Sequence, residues 1–258
     1  MNPVPALSTR ALVRRFGALL ATDSVDLDVA AGSRHALIGP NGAGKTTLIN
    51  LLSGFLRPSS GSVLLDGDDI TSVPQHLRVR RGLVRTFQIN RLFAELDPLE
   101  SVALAIAQRS AIGARWWRPL GDYRACIDEA AELLRRLHLL ELAHRPTREL
   151  AYGKQRLLEI ALALAMHPRV LLLDEPAAGV PAAESRELFE ILAQLPRSIT
   201  IVLIEHDMDL VFRFAERISV LVGGALLADG DPRAIAADPR VRQVYLGEQT
   251  TPGVPAHA

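Results

Sequence analysis

GPNGAGKTT, at residues 39–47, is the stretch that decides the fold. It matches the pattern G-x-x-x-x-G-K-[ST], which is typical of a phosphate-binding loop. Residues 33–38 before it predict a short strand, and residues 48–52 after it predict a helix. Glycines permit the tight turn that points several backbone N–H groups at one anion, and the helix start adds a partial positive charge. The loop consists of Gly39, Pro40, Asn41, Gly42, Ala43, Gly44, Lys45, Thr46 and Thr47.

Two side chains of this loop have a predicted chemical role. Lys45 would reach the β- and γ-phosphates of a nucleotide, and the Thr46 hydroxyl would ligate Mg²⁺. The alternative is a glycine-rich turn that contains Lys-Thr by chance. The flanking strand and helix favour the phosphate-binding loop.

The composition places limits on the class of protein. The 258 residues suffice for one large domain or two small ones. Lys+Arg and Asp+Glu are both 29, so the net charge is zero and does not indicate a nucleic-acid partner. The single cysteine, Cys126, excludes an intrachain disulfide and fits a reducing compartment. Because residues 1–15 lack a signal-peptide pattern and no apolar run reaches 18 residues, we expect a soluble chain that meets a membrane through a partner.

Alternating strands and helices predict an α/β domain. Continuous apolar runs at residues 170–173, 199–204 and 218–222 predict buried parallel strands, with helices between them at 183–194 and 208–216. Gly223-Gly224 predicts a hairpin turn into a strand at 225–228, and short helices are expected over 232–246.

The first third of the chain predicts more strands than helices. An edge strand is expected over residues 6–15, a half-exposed strand over 25–29, and further strands over 62–67 and 83–88; a basic helix is expected over 74–82.

Residues 89–148 have a different character, because helical spacing replaces the strand pattern. Helices are expected over 99–107 and 127–143. The second helix is predicted to have one apolar stripe, formed by Leu133, Leu134, Leu137 and Leu140, with Leu139 on the solvent-exposed side. We interpret this block as a helical insertion.

An acid pair, Asp174-Glu175, ends the strand at 170–173. Ligands of parallel sheets collect at the carboxyl ends of the strands. Asp174 would hold Mg²⁺, directly or through water, and Glu175 would orient and polarise an attacking water. The alternative is an acid pair that a helix dipole favours.

Two other strand ends carry candidate residues. His206 could donate a hydrogen bond to a γ-phosphate, although a capped surface histidine is the alternative. Gln88 could bridge Mg²⁺ and the water, although it could equally be an ordinary polar strand end.

A second candidate anion site precedes the helix that begins near residue 152. It consists of Leu150, Ala151, Tyr152, Gly153, Lys154 and Gln155, with Arg156 following. The helix dipole disfavours a basic first turn, so a nearby anion would compensate for it. A second phosphate site in one chain indicates a nucleotide held by another copy; the alternative is a capped helix with a basic first turn.

In this order the motifs resemble the ATP-binding subunit of an ABC transporter, over residues 6–248. The resemblance implies an α/β P-loop NTPase cassette with a mostly parallel sheet core, an antiparallel β edge and a helical subdomain. Residues 6–88 and 149–248 would form the RecA-like core with its β edge, residues 89–148 the helical subdomain, and residues 249–258 a flexible tail.

The resemblance also assigns roles. Gln88 corresponds to the Q-loop glutamine, Leu150 to Gln155 to the signature motif, Glu175 to the catalytic glutamate and His206 to the switch histidine. Asp174 would be a Mg²⁺ ligand. Phe16 lies where the family places a ring that stacks on adenine, with a core phenylalanine as the alternative. The implied cofactors are ATP and Mg²⁺, with each ATP held between the P-loop of one subunit and the signature of another.

Five phrases resemble the ATPases of branched-chain amino acid importers: "RTFQINRLF", "LAYGKQRLLEIA", "LLLDEPAAG", "IEHDM" and "VYLGE". Urea-type importers and the lipopolysaccharide-export ATPase share much of this wording, and a soluble non-transport ABC ATPase and a regulator with little hydrolysis are further alternatives. The resemblance implies a second ATPase subunit, identical or related, and membrane-spanning permease subunits. It also implies an indirect partner, a periplasmic or extracellular substrate-binding protein, with this chain peripheral on the cytoplasmic face of the inner membrane and no nucleic acid bound.

Three residues depart from the family pattern. Pro181 stands where a polar Asn or Asp is usual, Ala151 lacks the hydroxyl of many signatures, and Lys154 is unusual where acids or amides are common. Pro181 puts the contact of its loop with the opposite subunit in question.

Overall fold

The computed structural model describes residues 4–86, 92–110 and 124–247. Its first part contains β1 (Leu7–Phe16), β2 (Leu19–Val29), β3 (Arg34–Ile38), α1 (Lys45–Ser53), β4 (Ser60–Leu65), β5 (Asp68–Asp69), α2 (Gln75–Arg80) and β6 (Leu83–Arg85). The middle contains α3 (Pro98–Arg109), α4 (Arg124–Arg136), short 3₁₀ turns at Leu140–Leu142 and Thr147–Glu149, and α5 (Tyr152–Leu164). The last part contains β7 (Val170–Asp174), α6 (Ala182–Gln194), β8 (Thr200–Ile204), α7 (Met208–Phe214), β9 (Arg217–Val222), β10 (Ala225–Gly230), α8 (Pro232–Ala237) and α9 (Pro239–Gly247).

Two sheets form the framework of the described residues. One has the strand order β10-β9-β3-β8-β7-β6, in which β9, β3, β8, β7 and β6 are parallel and β10 pairs antiparallel with β9. The other is antiparallel, with the order β2-β1-β4-β5. The predicted mostly parallel core with an antiparallel β part is confirmed.

Alternate side chains of the parallel strands enter two different cores. In β7, Leu172 packs into the cluster that holds the apolar residues of α1, β1 and β2. Its neighbours Leu171 and Leu173 pack into the cluster that holds the apolar residues of α3 to α7. Successive strand residues point to opposite faces, so both faces of this strand are covered and all five of its residues are buried.

The predicted edge position of the first strand is wrong. β1 lies between β2 and β4, where its residue Thr9 pairs with Leu27 on one side and with Val63 on the other. Residues 6–15 alternate only weakly between apolar and polar side chains, which suggested an edge strand. The cause is instead an irregular strand, because the register of β1 shifts between Thr9 and Leu12, and Ala11 has a φ of 43°.

The predicted leucine stripe on the second helix of residues 89–148 is also wrong. α4 ends at Arg136, and His138 has a φ of 55°, so the chain turns out of the helix before the last leucines. Leu139 is therefore fully buried, whereas Leu140 is 38% exposed. In the described residues, no helix is both long and apolar enough to cross a bilayer.

Candidate nucleotide-binding site

The phosphate-loop helix α1 has no side-chain cap at its N-terminus, where an anion could bind. Its N-cap residue is Gly44, with a φ of 98°, so no side-chain oxygen caps the helix. The first-turn N–H groups of any helix lack intrahelical acceptors and favour a bound anion. A Cβ atom on Gly44 would lie 2.5 Å from the Ala21 carbonyl oxygen, so the close approach of β2 requires glycine here.

The hairpin turn at Gly223-Gly224 fixes the back of this loop. The Gly224 N–H donates to the Ala43 carbonyl over 3.0 Å, and the Asp23 N–H donates to the Gly224 carbonyl over 2.8 Å. The turn therefore connects the phosphate loop to β2, the strand beside Phe16.

The Lys45 ammonium lies over its own loop. Its Nζ donates to the carbonyl of Gly39 over 2.6 Å and to that of Pro40 over 2.9 Å. These contacts hold a positive charge at the loop, where phosphates would bind.

The sheet register brings three of the candidate segments to one edge. Asp174 of β7 pairs with Ile204 of β8, and Ile204 pairs with Leu37 of β3. The strands are parallel, so the phosphate loop, His206 and the acid pair all follow the carboxyl ends of adjacent strands.

Asp174 is buried, and one of its two carboxylate oxygens is hydrogen-bonded. Its side chain is 1% exposed, and Oδ2 accepts a hydrogen bond from Arg85 Nη2 over 2.7 Å, while Oδ1 has no hydrogen-bond partner among the residues that the structure describes. Arg85 also donates to the Asn50 side-chain oxygen over 2.5 Å, which connects β6 to α1.

This donor set fits Mg²⁺. The buried Asp174 Oδ1, which has no partner within the described residues, and the exposed Thr46 hydroxyl are hard oxygen ligands. In the described part of the chain, no three His, Cys, Asp or Glu side chains cluster as a metal site.

Glu175 has a backbone conformation that the sequence did not predict. Its φ is 48°, which is unfavourable for a side chain of this size, and its N–H donates to the Ile204 carbonyl over 2.9 Å. Such strain often occurs at functional sites.

His206 follows β8 and is exposed, with a side chain 66% accessible. Its neighbour Glu205 is 1% exposed, and burial raises the pKa of that carboxyl. Asp207 accepts a hydrogen bond from the Leu210 N–H over 3.2 Å and thereby caps α7.

The predicted signature segment contacts α6. Glu184 accepts a hydrogen bond from the Gly153 N–H over 3.1 Å, and Lys154 Nζ donates to Glu187 over 2.8 Å. Carboxylates of the chain itself therefore lie beside the basic first turn of α5, where the sequence predicted an anion. Gln155 donates to the Leu150 carbonyl over 3.0 Å and closes the turn.

The loop before α6 also reaches this segment. The Gly179 Cα lies beside the Tyr152 ring, since a Cβ there would be 3.3 Å from Tyr152 Cε1. Pro181 is the N-cap residue of α6 and provides no side-chain cap, whereas Asn or Asp would.

Phe16 ends β1 and is 42% exposed, so the alternative of a core phenylalanine is wrong. The Arg14 guanidinium lies 4.5 Å from the ring centroid. Gln88 lies outside the described residues.

Three functional-site neighbours were missed by the sequence analysis: Arg85, Glu205 and Glu184. Arg85 and Glu205 do carry a signal, since each is a charged residue at the end of a buried strand. Glu184 carries none, because an acid in the first turn of a helix is ordinary.

Comparison with known proteins identifies the family. A family model described as ABC transporter matches residues 22–178. The chain belongs to the ABC transporter family. A second model, described as branched-chain amino acid ATP-binding cassette transporter, matches residues 225–250. ATP hydrolysis is characteristic of the ABC transporter family, so the predicted family and enzyme class are confirmed.

Relatives and solved structures agree with this family. The chain is 42% identical to the high-affinity branched-chain amino acid transport ATP-binding protein BraF of Pseudomonas aeruginosa, over 95% of this chain and 98% of that protein. It is 43% identical to the corresponding protein LivG of Escherichia coli strain K12, with the same coverage. A crystal structure of an ABC transporter cassette in its ADP conformation is 31% identical and superposes with a TM-score of 0.83, covering 94% of this chain and 98% of that one.

Proposed function

We propose that this chain is the ATP-hydrolysing subunit of an importer for branched-chain or related hydrophobic amino acids. The observation that carries the proposal is the identity of 42–43% over 95% of the chain to relatives named for that transport. The family model at residues 225–250, which bears the same description, supports it.

The residues at the sheet edge would divide the chemistry among them. Lys45 and the amides of residues 42–46 would hold the phosphates, and Thr46, Asp174 and Gln88 would hold Mg²⁺, which neutralises phosphate charge when bound. Glu175 would polarise the attacking water and accept its proton while the water oxygen bonds to the γ-phosphorus. The bond from the γ-phosphorus to the bridging oxygen would then break, leaving ADP and phosphate.

Other residues would complete the site. His206 would donate to the γ-phosphate, and Phe16 would stack on adenine. The signature residues Leu150 to Gln155 would meet a nucleotide held by a second ATPase subunit, identical or related.

The proposed assembly places the chain at the cytoplasmic face of the inner membrane. Residues 6–88 and 149–248 would form the catalytic core, and residues 89–148 the helical subdomain facing membrane-spanning permease subunits. The tail predicted at 249–258 lies outside the described residues. A substrate-binding protein outside the membrane would deliver the amino acid.

Turnover tests the catalytic roles. Lys45→Ala should abolish ATP binding by the purified chain, because it removes the charge that holds the phosphates. Glu175→Gln should keep ATP binding but lower turnover by about 10²-fold or more, because the water loses its base. Titration with ATP and a phosphate-release assay measure both, with the exposed Arg233→Ala as the control.

Uptake tests the substrate. Cells that lack the chain should lose uptake of labelled leucine, isoleucine or valine, and the wild-type chain but not Lys45→Ala should restore it. Normal leucine uptake together with lost urea uptake would contradict the amino-acid assignment and favour the urea-type alternative.

A further inference from the structure

Glu205 is a buried carboxylate at the end of β8, in the sequence Ile204-Glu205-His206. It is 1% exposed. Burying a carboxylate costs free energy unless hydrogen bonds or an opposite charge compensate it. Burial raises the pKa of this carboxyl. Such a residue at the edge where nucleotide is expected to bind calls for a physical explanation.

Backbone amides of two different loops compensate this carboxylate. Oε1 accepts a hydrogen bond from the Ala177 N–H over 2.9 Å, and Oε2 accepts one from the His206 N–H over 3.1 Å. Oε2 also lies 3.8 Å from His206 Nδ1. Among the residues that the structure describes, this ring is the basic side chain within 4 Å of the carboxylate, and no lysine or arginine takes that place.

The two loops that Glu205 joins are those of the proposed water-polarising and γ-phosphate-contacting residues. Ala177 lies two residues after Glu175, and a second bond joins the same loops, from the Glu175 N–H to the Ile204 carbonyl over 2.9 Å. A cavity of about 250 Å³ lies between them, lined in part by Glu205, His206 and residues 177–180. The Glu205 carboxylate therefore bridges the two loops by hydrogen bonds and forms part of the wall of the cavity between them.

We propose that Glu205 is a positioning residue that acts through His206: its carboxylate orients the imidazole toward the γ-phosphate and fixes it relative to Glu175. The inference rests on the proposed ATP hydrolysis. An exposed ring has many orientations. The 3.8 Å separation of Oε2 and Nδ1 is longer than a hydrogen bond, so the carboxylate acts by electrostatic attraction and favours the orientations in which Nδ1 faces it. The other ring nitrogen then faces away from the carboxylate and serves the phosphate.

A double-mutant cycle tests this role. Glu205→Gln keeps the shape of the side chain and removes its charge, so kcat should fall about tenfold or more while the ATP dissociation constant changes by less than about twofold. In the His206→Ala background the same substitution should change kcat by less than about twofold, because its effect passes through the ring. An equal loss in both backgrounds, or an unchanged kcat, would overturn the proposal.

The control is Glu216→Gln. Glu216 also accepts a backbone N–H, that of Arg34 over 3.1 Å, but it precedes β9 at the opposite edge of the sheet. Its substitution should leave kcat unchanged. If Glu205→Gln does not fold, Glu205→Asp replaces it in the cycle, because that variant keeps the charge but withdraws it by one methylene.

Spectroscopy separates failure of this inference from failure of the proposed function. A wild-type chain that hydrolyses no ATP would contradict the proposed function. The NMR signals of the Ala177 amide and the His206 ring need no turnover: both should shift in Glu205→Gln and neither in Glu216→Gln. An unmoved His206 ring signal would overturn the positioning role even if hydrolysis is normal.

Discussion

His35 gives the fold a pH-dependent stability at the residue scale. It is buried in β3, and its Nε2 lies 2.7 Å from Ser219 Oγ. The Ser219 hydroxyl donates to Asp229 over 2.9 Å, so it accepts from His35, and Nε2 carries the proton. In the described ranges of the chain, His35 Nδ1 has no hydrogen-bond partner, so a second proton there would find no acceptor among them. Burial accordingly lowers the pKa of His35 from 6.5 to about 4.

The shift predicts a loss of stability in acid. Between pH 6.5 and about pH 4, His35 is mostly protonated in the unfolded chain and mostly neutral in the folded chain. The free energy of unfolding therefore falls as the pH falls through this window. A shift of this size corresponds to about 3 kcal/mol between the ends of the window. His35→Asn, which does not ionise, should unfold in urea with a weaker pH dependence than the wild type. The exposed His76→Asn serves as the control, and an equal pH dependence in all three proteins would contradict the argument.

Arg78 supports an element, the phosphate-loop helix α1. Its guanidinium is 1% exposed and donates to the carbonyls of Leu51 and Leu52, in the last turn of α1, over 2.9 and 2.6 Å. It also donates to the Val73 and Thr71 carbonyls, over 2.8 and 3.0 Å. Burial lowers its pKa to about 10, so the group is still charged at neutral pH and interacts favourably with the C-terminal end of the helix dipole.

We predict that Arg78→Met destabilises the protein by about 3 kcal/mol, because four buried carbonyl groups lose their donor while the side-chain volume is nearly kept. Arg80→Met is the matched control, since Arg80 is exposed in the last turn of the same α2 helix. Urea unfolding measures both variants. A similar small effect for the two would show that the Arg78 hydrogen bonds contribute little.

At the scale of elements, the sequence predicts those helices and strands whose burial follows directly from their own apolar pattern. The strand predicted at 170–173 is β7, because a run of apolar residues suits a strand covered on both faces. The end of α4 was not predictable from the sequence. The left-handed conformation of His138 turns the chain out of the helix, and as a result Leu139 is buried and Leu140 is exposed, the reverse of the helical prediction. Arg85 and Glu205 carry the signal of a charge at a strand end, but that signal does not name a partner. Their partners are 89 and 28 residues away in the chain, and only the folded sheet brings them together.

For the whole molecule, the central question is what the signature segment binds. Within one chain its Gly153 amide and Lys154 ammonium contact Glu184 and Glu187 of α6. If a nucleotide held by a second copy replaces Glu184 and Glu187 as the partner of this segment, each ATP site of the dimer is formed by the phosphate loop of one chain and the signature segment of the other. A chain that is defective in one half should then be rescued by a chain that is defective in the other.

Mixing two inactive variants tests this arrangement. Lys45→Ala keeps its signature but loses its phosphate loop, and Gly153→Asp keeps its phosphate loop but places a carboxylate where the phosphate of another copy would arrive. Each alone should show little ATP-dependent change from the 28.1 kDa monomer. The mixture contains dimers with one intact site. It should therefore recover part of the wild-type hydrolysis and form a species of twice that mass in ATP. Arg233→Ala, which keeps both halves of the site, is the positive control. Hydrolysis by Gly153→Asp alone at the wild-type rate would mean that the site is complete within one chain, because a blocked signature could then not matter.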